Sequence, residues 1–210
     1  MQVQRLRSIA FGWLHRVRLA LGIRRPRDFE RLETAIALLL DDDAAHNNMR
    51  KLQINILKNV GANDGLTAPP HITLKLGFKT SDLVGLSNYL DNLAMTLKPM
   101  AVNLKDFGSF DSDGYIFVGI SKNIDIEALR KRILSDVEIR FGARPYSIEG
   151  DEFHLHATLA YGLPRNSFSL EYDRLREQNF ALHSTIKTIA LLCWVNNYWV
   201  VYKKATLGTQ

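Results

Sequence analysis

The sequence predicts an α/β (α+β) fold in which strands and helices alternate. Three observations predict it. Beyond Glu33, short apolar runs of strand character alternate with stretches whose apolar residues recur every three or four positions. Clusters of Gly, Pro, Asn, Asp and Ser separate them. Apolar residues make up 46% of the 210, with charges interspersed, which is enough for a core in one domain or in two small lobes.

Each element has its own signal. Residues 34–40 are a strand-like apolar run, and Asp41-Asp42-Asp43 supplies the cap and first-turn carboxylates of a helix reaching about Val60. A loop over 61–70 leads to an alternating strand over 71–78. Ser81 caps a helix whose Leu83, Leu86, Leu90, Leu93 and Leu97 share one face. Strands near 101–107 and 115–120 are joined by Asp111-Ser112-Asp113-Gly114. Ile126, Leu129, Ile133, Val137 and Phe141 mark the next helix. A loop through Arg144-Pro145 reaches a strand over 154–161, and a helix around 170–178 comes next. Residues 183–195 and 198–203 read as a hairpin turning at Asn196-Asn197. The order is β-α-β-α-β-β-α-β-α-β-β, with a weak likeness between the two halves.

Residues 1–30 read as a separate extension, and 31–210 as the main domain. Leu6, Ile9, Ala10, Trp13, Val17, Ala20 and Leu21 form one apolar stripe at helical spacing, flanked by Arg5 and Arg16 on one edge and Arg7 and Arg18 on the other. This amphipathic helix fits a membrane surface, a protein partner, the domain's own outer surface, or a removable presequence. Seven of the 27 Lys and Arg residues lie in 1–27, which holds no Asp or Glu. The rest of the chain has 20 basic against 22 acidic residues, so the net charge of +5 is no sign of a nucleic-acid-binding face on the domain. The single cysteine, Cys193, cannot form an internal disulfide, and no apolar stretch approaches the ~20 residues of a membrane span. A cytoplasmic monomer is the expected setting.

Chemistry concentrates in His71-Ile72-Thr73-Leu74 and His156-Ala157-Thr158-Leu159. On a strand, residues i and i+2 share a face, so each motif presents an imidazole beside a hydroxyl. A lone His-x-Thr is cheap by chance. Two among six histidines, both followed by Leu and both in strand-like contexts, point to one shared site. Two imidazoles can divide acid and base duties near neutral pH, and two hydroxyls can donate to phosphoryl oxygens. Such a scheme needs no metal and no cofactor.

These paired motifs resemble those of the two-histidine (2H) phosphoesterase superfamily, which includes RNA 2′,3′-cyclic phosphodiesterases, once called 2′-5′ RNA ligases. The 85-residue separation, Tyr161-Gly162 after the second motif and the closing strand from Trp199 to Leu207 carry the resemblance further, over about 33–207. It implies a bilobal, pseudo-symmetric fold with two antiparallel sheets flanking a cleft and helices outside. It implies His71 as general acid, His156 as general base, and Thr73 and Thr158 as phosphoryl-oxygen donors. The implied substrate is a 2′,3′-cyclic phosphate RNA end or a related 2′,5′-linked or cyclic oligonucleotide. Leu155 departs from the proline often found before the second histidine.

Candidate substrate contacts are Lys75, on the same predicted face as His71 and Thr73; Arg144, in the loop before the second motif; and Phe153 and Tyr161, aromatics near the predicted cleft rim. Phe78 and Tyr146 share that rim, and each of these residues also fits simple packing or a solvated surface. Trp194, Trp199 and Tyr202 read as sheet packing. Glu152, His154 and His156 alternate in a way that could ligate zinc, although no further ligand is evident. The alternative to an enzyme is a nucleotide- or RNA-binding module with little catalysis, tethered through its N-terminal helix.

Overall fold

The computed structural model describes residues 31–110 and 114–208. The amphipathic helix expected over 1–27, and residues 111–113 of the predicted turn, lie outside the described residues. Eight strands and four helices lie among the described residues, in chain order: β1 (Leu32–Leu39), α1 (Asp43–Val60), β2 (His71–Thr80), α2 (Leu83–Met95), β3 (Met100–Phe110), β4 (Tyr115–Ile120), α3 (Ile124–Phe141), β5 (His156–Ala160), α4 (Arg165–Arg176), β6 (Ala181–Ile186), β7 (Thr188–Val195) and β8 (Tyr198–Thr206). No described helix is long and apolar enough to cross a membrane.

Local chemistry sets the helix starts. Asp42 caps α1, its carboxylate accepting from the Ala45 amide at 3.0 Å. For α2 the cap is Asp82, bound to the Gly85 amide at 2.7 Å, one residue beyond the expected Ser81. Asn123 caps α3 through the Ile126 amide. The α4 helix starts at Arg165, earlier than the apolar spacing indicates, because Pro164 occupies its N-cap and Phe168 already packs inward.

All described strand pairs are antiparallel, in the order β6-β3-β4-β5-β2-β1-β7-β8. Two four-stranded halves, β5-β4-β3-β6 and β2-β1-β7-β8, thus make one sheet where the resemblance implied two. They join through a single bridged pair, Ile72↔Ala157, between the two motif strands. The expected strand over 183–195 is divided at Lys187: β6 is an edge of one half, while β7 belongs to the other. Six inter-strand spacings of ~4.8 Å separate those two positions, roughly 29 Å on a flat sheet. One linking residue spans only about 7 Å. The sheet must therefore curl, and its concave side becomes a cleft.

The alternation of β1 separates the two sides. Ile36 and Leu38 enter the main core beneath the helices. Ala35, Ala37 and Leu39 instead form a smaller cluster with Ala190 and Leu192, against Trp199, and Ala35, Leu192 and Trp199 also line the cleft. Small side chains there leave room for a ligand.

Helices cross between halves. After β1 the chain runs through α1, which packs on β5 and β6; after β4 it runs through α3, which packs on β2. Each motif strand is thus backed by a helix that succeeds a strand of the opposite half. The final hairpin turns at Asn196 and Asn197, as expected; both have positive φ (52° and 67°), the pattern of a type I′ turn that asparagine tolerates.

Candidate active site

The bridged pair Ile72↔Ala157 is fully buried on the helix side. Continuing its antiparallel register by one residue in each direction aligns His71 with Thr158 and Thr73 with His156. All four side chains line one cavity of about 250 Å³. The two motifs therefore meet, each histidine beside the other motif's threonine.

Both rings are held in the same way. His71 Nδ1 lies 2.7 Å from the Pro69 carbonyl oxygen, and His156 Nδ1 lies 2.7 Å from that of His154. A carbonyl can only accept, so Nδ1 carries the proton in both rings. Each Nε2 is then the nitrogen that can take or give a proton. Burial is the main cause that lowers both imidazole pKa values below the ordinary 6.5. The Arg50 charge lowers His71 further, and the charges of His71 and His154 lower His156. The carbonyl contacts partly oppose these effects. A doubly protonated pair is thereby disfavoured.

Each motif's leucine is the extra residue of a bulge. Ile36 and Ala37, adjacent on β1, pair with Lys75 and Thr73, leaving Leu74 unmatched. Ile116 and Phe117, adjacent on β4, pair with Ala160 and Thr158, leaving Leu159 unmatched. A bulge breaks the two-residue alternation and re-aims the side chains beyond it. The cleft face of β2 thus skips Leu74 and Lys75 and resumes at Leu76 and Gly77, and beyond Thr158 the lining resumes at Tyr161.

That geometry changes the reading of Lys75. It does not share the His71 face: it is wholly buried, its Nζ 2.7 Å from Glu149 Oε2. Glu149 also accepts from the Leu76 amide at 2.6 Å and the Tyr146 amide at 2.8 Å. Arg130 donates to the Glu149 and Gly150 carbonyls and lies 4.3 Å over the Phe153 ring. The network ties the loop before β5 to β2 and α3.

The other expected contacts separate. Tyr161 lines the cavity, its hydroxyl 3.2 Å from Thr67 Oγ1 and its ring stacked on Tyr115 with centroids 5.2 Å apart. Phe153 is outside the lining; it stands 6.1 Å from the His156 ring, which Phe110, Tyr115 and Phe117 also surround. Arg144 is outside too, with its side chain 88% exposed in a neighbouring depression. Glu152 and His154 are exposed residues ahead of β5. Among the described residues, no group of three or more His, Cys, Asp or Glu side chains converges as a metal site.

The lining also holds residues that the sequence does not single out for the site. Trp199 reads as packing and Tyr115 as an ordinary strand residue, yet both face the cavity. Gln53 is buried in the apolar stripe Ala45-Met49-Gln53-Ile56 of α1 and donates to the carbonyls of Gly65 (2.9 Å) and Thr158 (3.1 Å). A glutamine inside an apolar stripe is the available signal. Gly65 packs so closely that a Cβ would stand 1.9 Å from the Leu159 carbonyl oxygen. Gly65→Ala is expected to cost about 1–3 kcal/mol by overpacking; the check is a lowered urea midpoint with an unchanged m value.

Paired His-x-Thr strands at the join of a curled antiparallel sheet define a 2H phosphoesterase-type protein. The chain belongs to the 2′-5′ RNA ligase superfamily, whose sequence model matches residues 41–197. A Geobacillus kaustophilus (strain HTA426) protein named "Putative phosphoesterase GK0864" is 26% identical over 144 residues, covering 67% of this chain and 79% of that protein. A like-named protein of Bacillus pumilus (strain SAFR-032) is 28% identical over 147 residues, covering 68% and 81%. In fold, the chain is similar to E. coli LigT complexed with 3′-AMP (TM-score 0.60, 16% identity, 86% of this chain and 100% of that one). It is also similar to the TT0787 protein of Thermus thermophilus (TM-score 0.56, 15% identity, 85% and 100%).

Proposed function

We propose that the cleft is a phosphodiesterase centre that opens 2′,3′-cyclic phosphate RNA ends, or related 2′,5′-linked or cyclic oligonucleotides, by two-histidine acid–base catalysis. The observation that carries this reading is the matched anchoring of His71 and His156 through Nδ1, which leaves both Nε2 atoms for proton transfer in one cavity. His156, neutral, takes a proton from water as its oxygen attacks phosphorus. The bond from phosphorus to the leaving ribose oxygen breaks, and protonated His71 supplies that oxygen's proton. Thr73 and Thr158 donate to the non-bridging oxygens as charge builds. Membership of the superfamily and the phosphoesterase names of the relatives support this class of chemistry.

The test is product analysis after incubation with 2′,3′-cyclic nucleotides, 2′,5′-oligoadenylate and cyclic dinucleotides. Phosphomonoester product that persists in EDTA is the expected result. Nucleotide binding without product would favour a binding module, and loss in EDTA with recovery on zinc would favour a metal enzyme.

The pH profile is a second prediction. The acid limb of kcat/KM reports the base losing its proton, and the alkaline limb reports the acid losing its own. Both histidines are shifted below the ordinary 6.5, so the bell is expected to peak on the acid side of about 6.5. A maximum well above pH 7 would contradict these roles for the two rings.

A further inference from the structure

The motif strands β2 and β5 join through the one bridged pair Ile72↔Ala157. One residue further along β5, the Thr158 carbonyl accepts at 3.1 Å from a side chain, the Nε2 of Gln53 on α1. The same Nε2 donates to the Gly65 carbonyl at 2.9 Å, and Arg50 donates to Gln53 Oε1 at 3.0 Å. We propose that Gln53 is a positioning residue for Thr158. Its carboxamide, oriented by Arg50, holds the part of β5 that carries the phosphoryl-donor hydroxyl. The inference rests on the proposed function, which gives that hydroxyl its task.

The clamp sits where β5 has least support from the sheet. Thr158 pairs with Phe117 of β4 on one side, while the pairing with β2 stops at Ala157. The next residue, Leu159, is the extra residue of the bulge, where the ladder is locally disrupted. A short turn of 3₁₀ helix, Asp64–Thr67, lies against this stretch. Its Asp64 amide donates to the Tyr161 carbonyl at 3.3 Å, and Gly65 packs on the Leu159 carbonyl. Gln53 ties that turn to β5 at Thr158. The same loop runs on to Pro69, whose carbonyl anchors His71. One carboxamide thus links the second motif to the approach of the first.

Helix packing does not ask for a glutamine here. Gln53 is 2% exposed in the stripe Ala45-Met49-Gln53-Ile56, where a methionine would fill similar space with no polar group to satisfy. The amide's orientation is fixed, because carbonyls only accept and a guanidinium only donates. Both Nε2 hydrogens are therefore engaged, and neither is left for a ligand, although Gln53 lines the cavity. Its influence on the reaction runs through Thr158. Among the described residues Arg50 has no ion-pair partner; its hydrogen bond goes to Gln53.

The test is a double-mutant cycle on turnover of adenosine 2′,3′-cyclic phosphate. Gln53→Met is expected to lower kcat about tenfold and to raise KM only about threefold, the scale of a small misplacement at the reacting group. Combined with Thr158→Val, the same change should cost under about twofold in kcat, because the hydroxyl that Gln53 places is gone. Combined with Thr73→Val, it should again cost about tenfold. A general loss of structure would multiply alike in both backgrounds. Gln53→Glu keeps the shape, gives Arg50 a counter-ion and cannot donate to both carbonyls, so it should repeat the pattern if Gln53→Met does not fold. A second cycle measures binding of the same nucleotide in the His156→Ala protein, where turnover does not interfere. There Gln53→Met should weaken binding about threefold, and leave it unchanged when Thr158→Val is also present. No loss from Gln53→Met, or a loss that multiplies with Thr158→Val, would overturn the positioning role. Native protein without turnover, but with the coupling in binding, would overturn the catalytic reading and leave the positioning role standing. Turnover with uncoupled losses does the reverse.

Discussion

Replacing His71 or His156 with alanine is expected to lower turnover of a 2′,3′-cyclic nucleotide by about 10²–10⁴-fold, the usual contribution of a positioned acid or base. The loss should fall on kcat more than on KM, because proton transfer belongs to the transition state. The double variant should be little worse than either single one, since in the proposed scheme the two rings serve one displacement. Circular dichroism and the urea midpoint control for folding. Two single variants that each retain near-native kcat would remove the two-histidine scheme. Thr73→Val and Thr158→Val keep the side-chain shape, delete one donor each, and should give smaller losses.

Lys75→Met is expected to destabilise the protein by about 3–5 kcal/mol, the range for breaking a buried ion pair from one side. The side chains of Lys75 and Glu149 are 0% and 1% exposed. Removing the ammonium leaves the carboxylate with the Leu76 and Tyr146 amides and no direct ion-pair partner, the Arg130 guanidinium being bound to the Glu149 backbone carbonyl instead. A domain's whole stability is only about 5–15 kcal/mol, so the change should be plain in urea denaturation. Adding Glu149→Gln should recover part of the loss, because the unpaired charge is then gone. A cost under about 1 kcal/mol would mean that the pair is hydrated. Because Glu149 also fixes the loop before β5, the variant tests whether that loop steadies His156 at a distance.

The sequence and the structure agree where the signal is local. A His-x-Thr strand is legible because i and i+2 alternation is a property of a few consecutive residues, and capping at Asp42 and the Asn196-Asn197 turn are equally local. Simple alternation misplaces Lys75 because Leu74 is a bulge, and a bulge exists only relative to the partner strand β1. Lys187 looks like the middle of one strand because nothing in its neighbourhood announces that the chain changes halves there. Only proximity in sequence to His156 suggests Arg144 and Phe153, whereas the curl of the sheet decides what reaches the cleft. Gln53 lies on α1, whose packing against β5 joins residues 105 positions apart; only its polarity within an apolar stripe hints at its place.

The exchange of α1 and α3 between the halves means that neither half is a self-sufficient folding unit. A fragment ending before β3 would carry β2 without the helix that covers it, and the remainder would expose β5 in the same way. The distance between the two imidazoles is therefore braced from both directions, like two planks each nailed to the other's frame. On such a scaffold a jaw-like swing of one half against the other would pull α1 off β5 and α3 off β2.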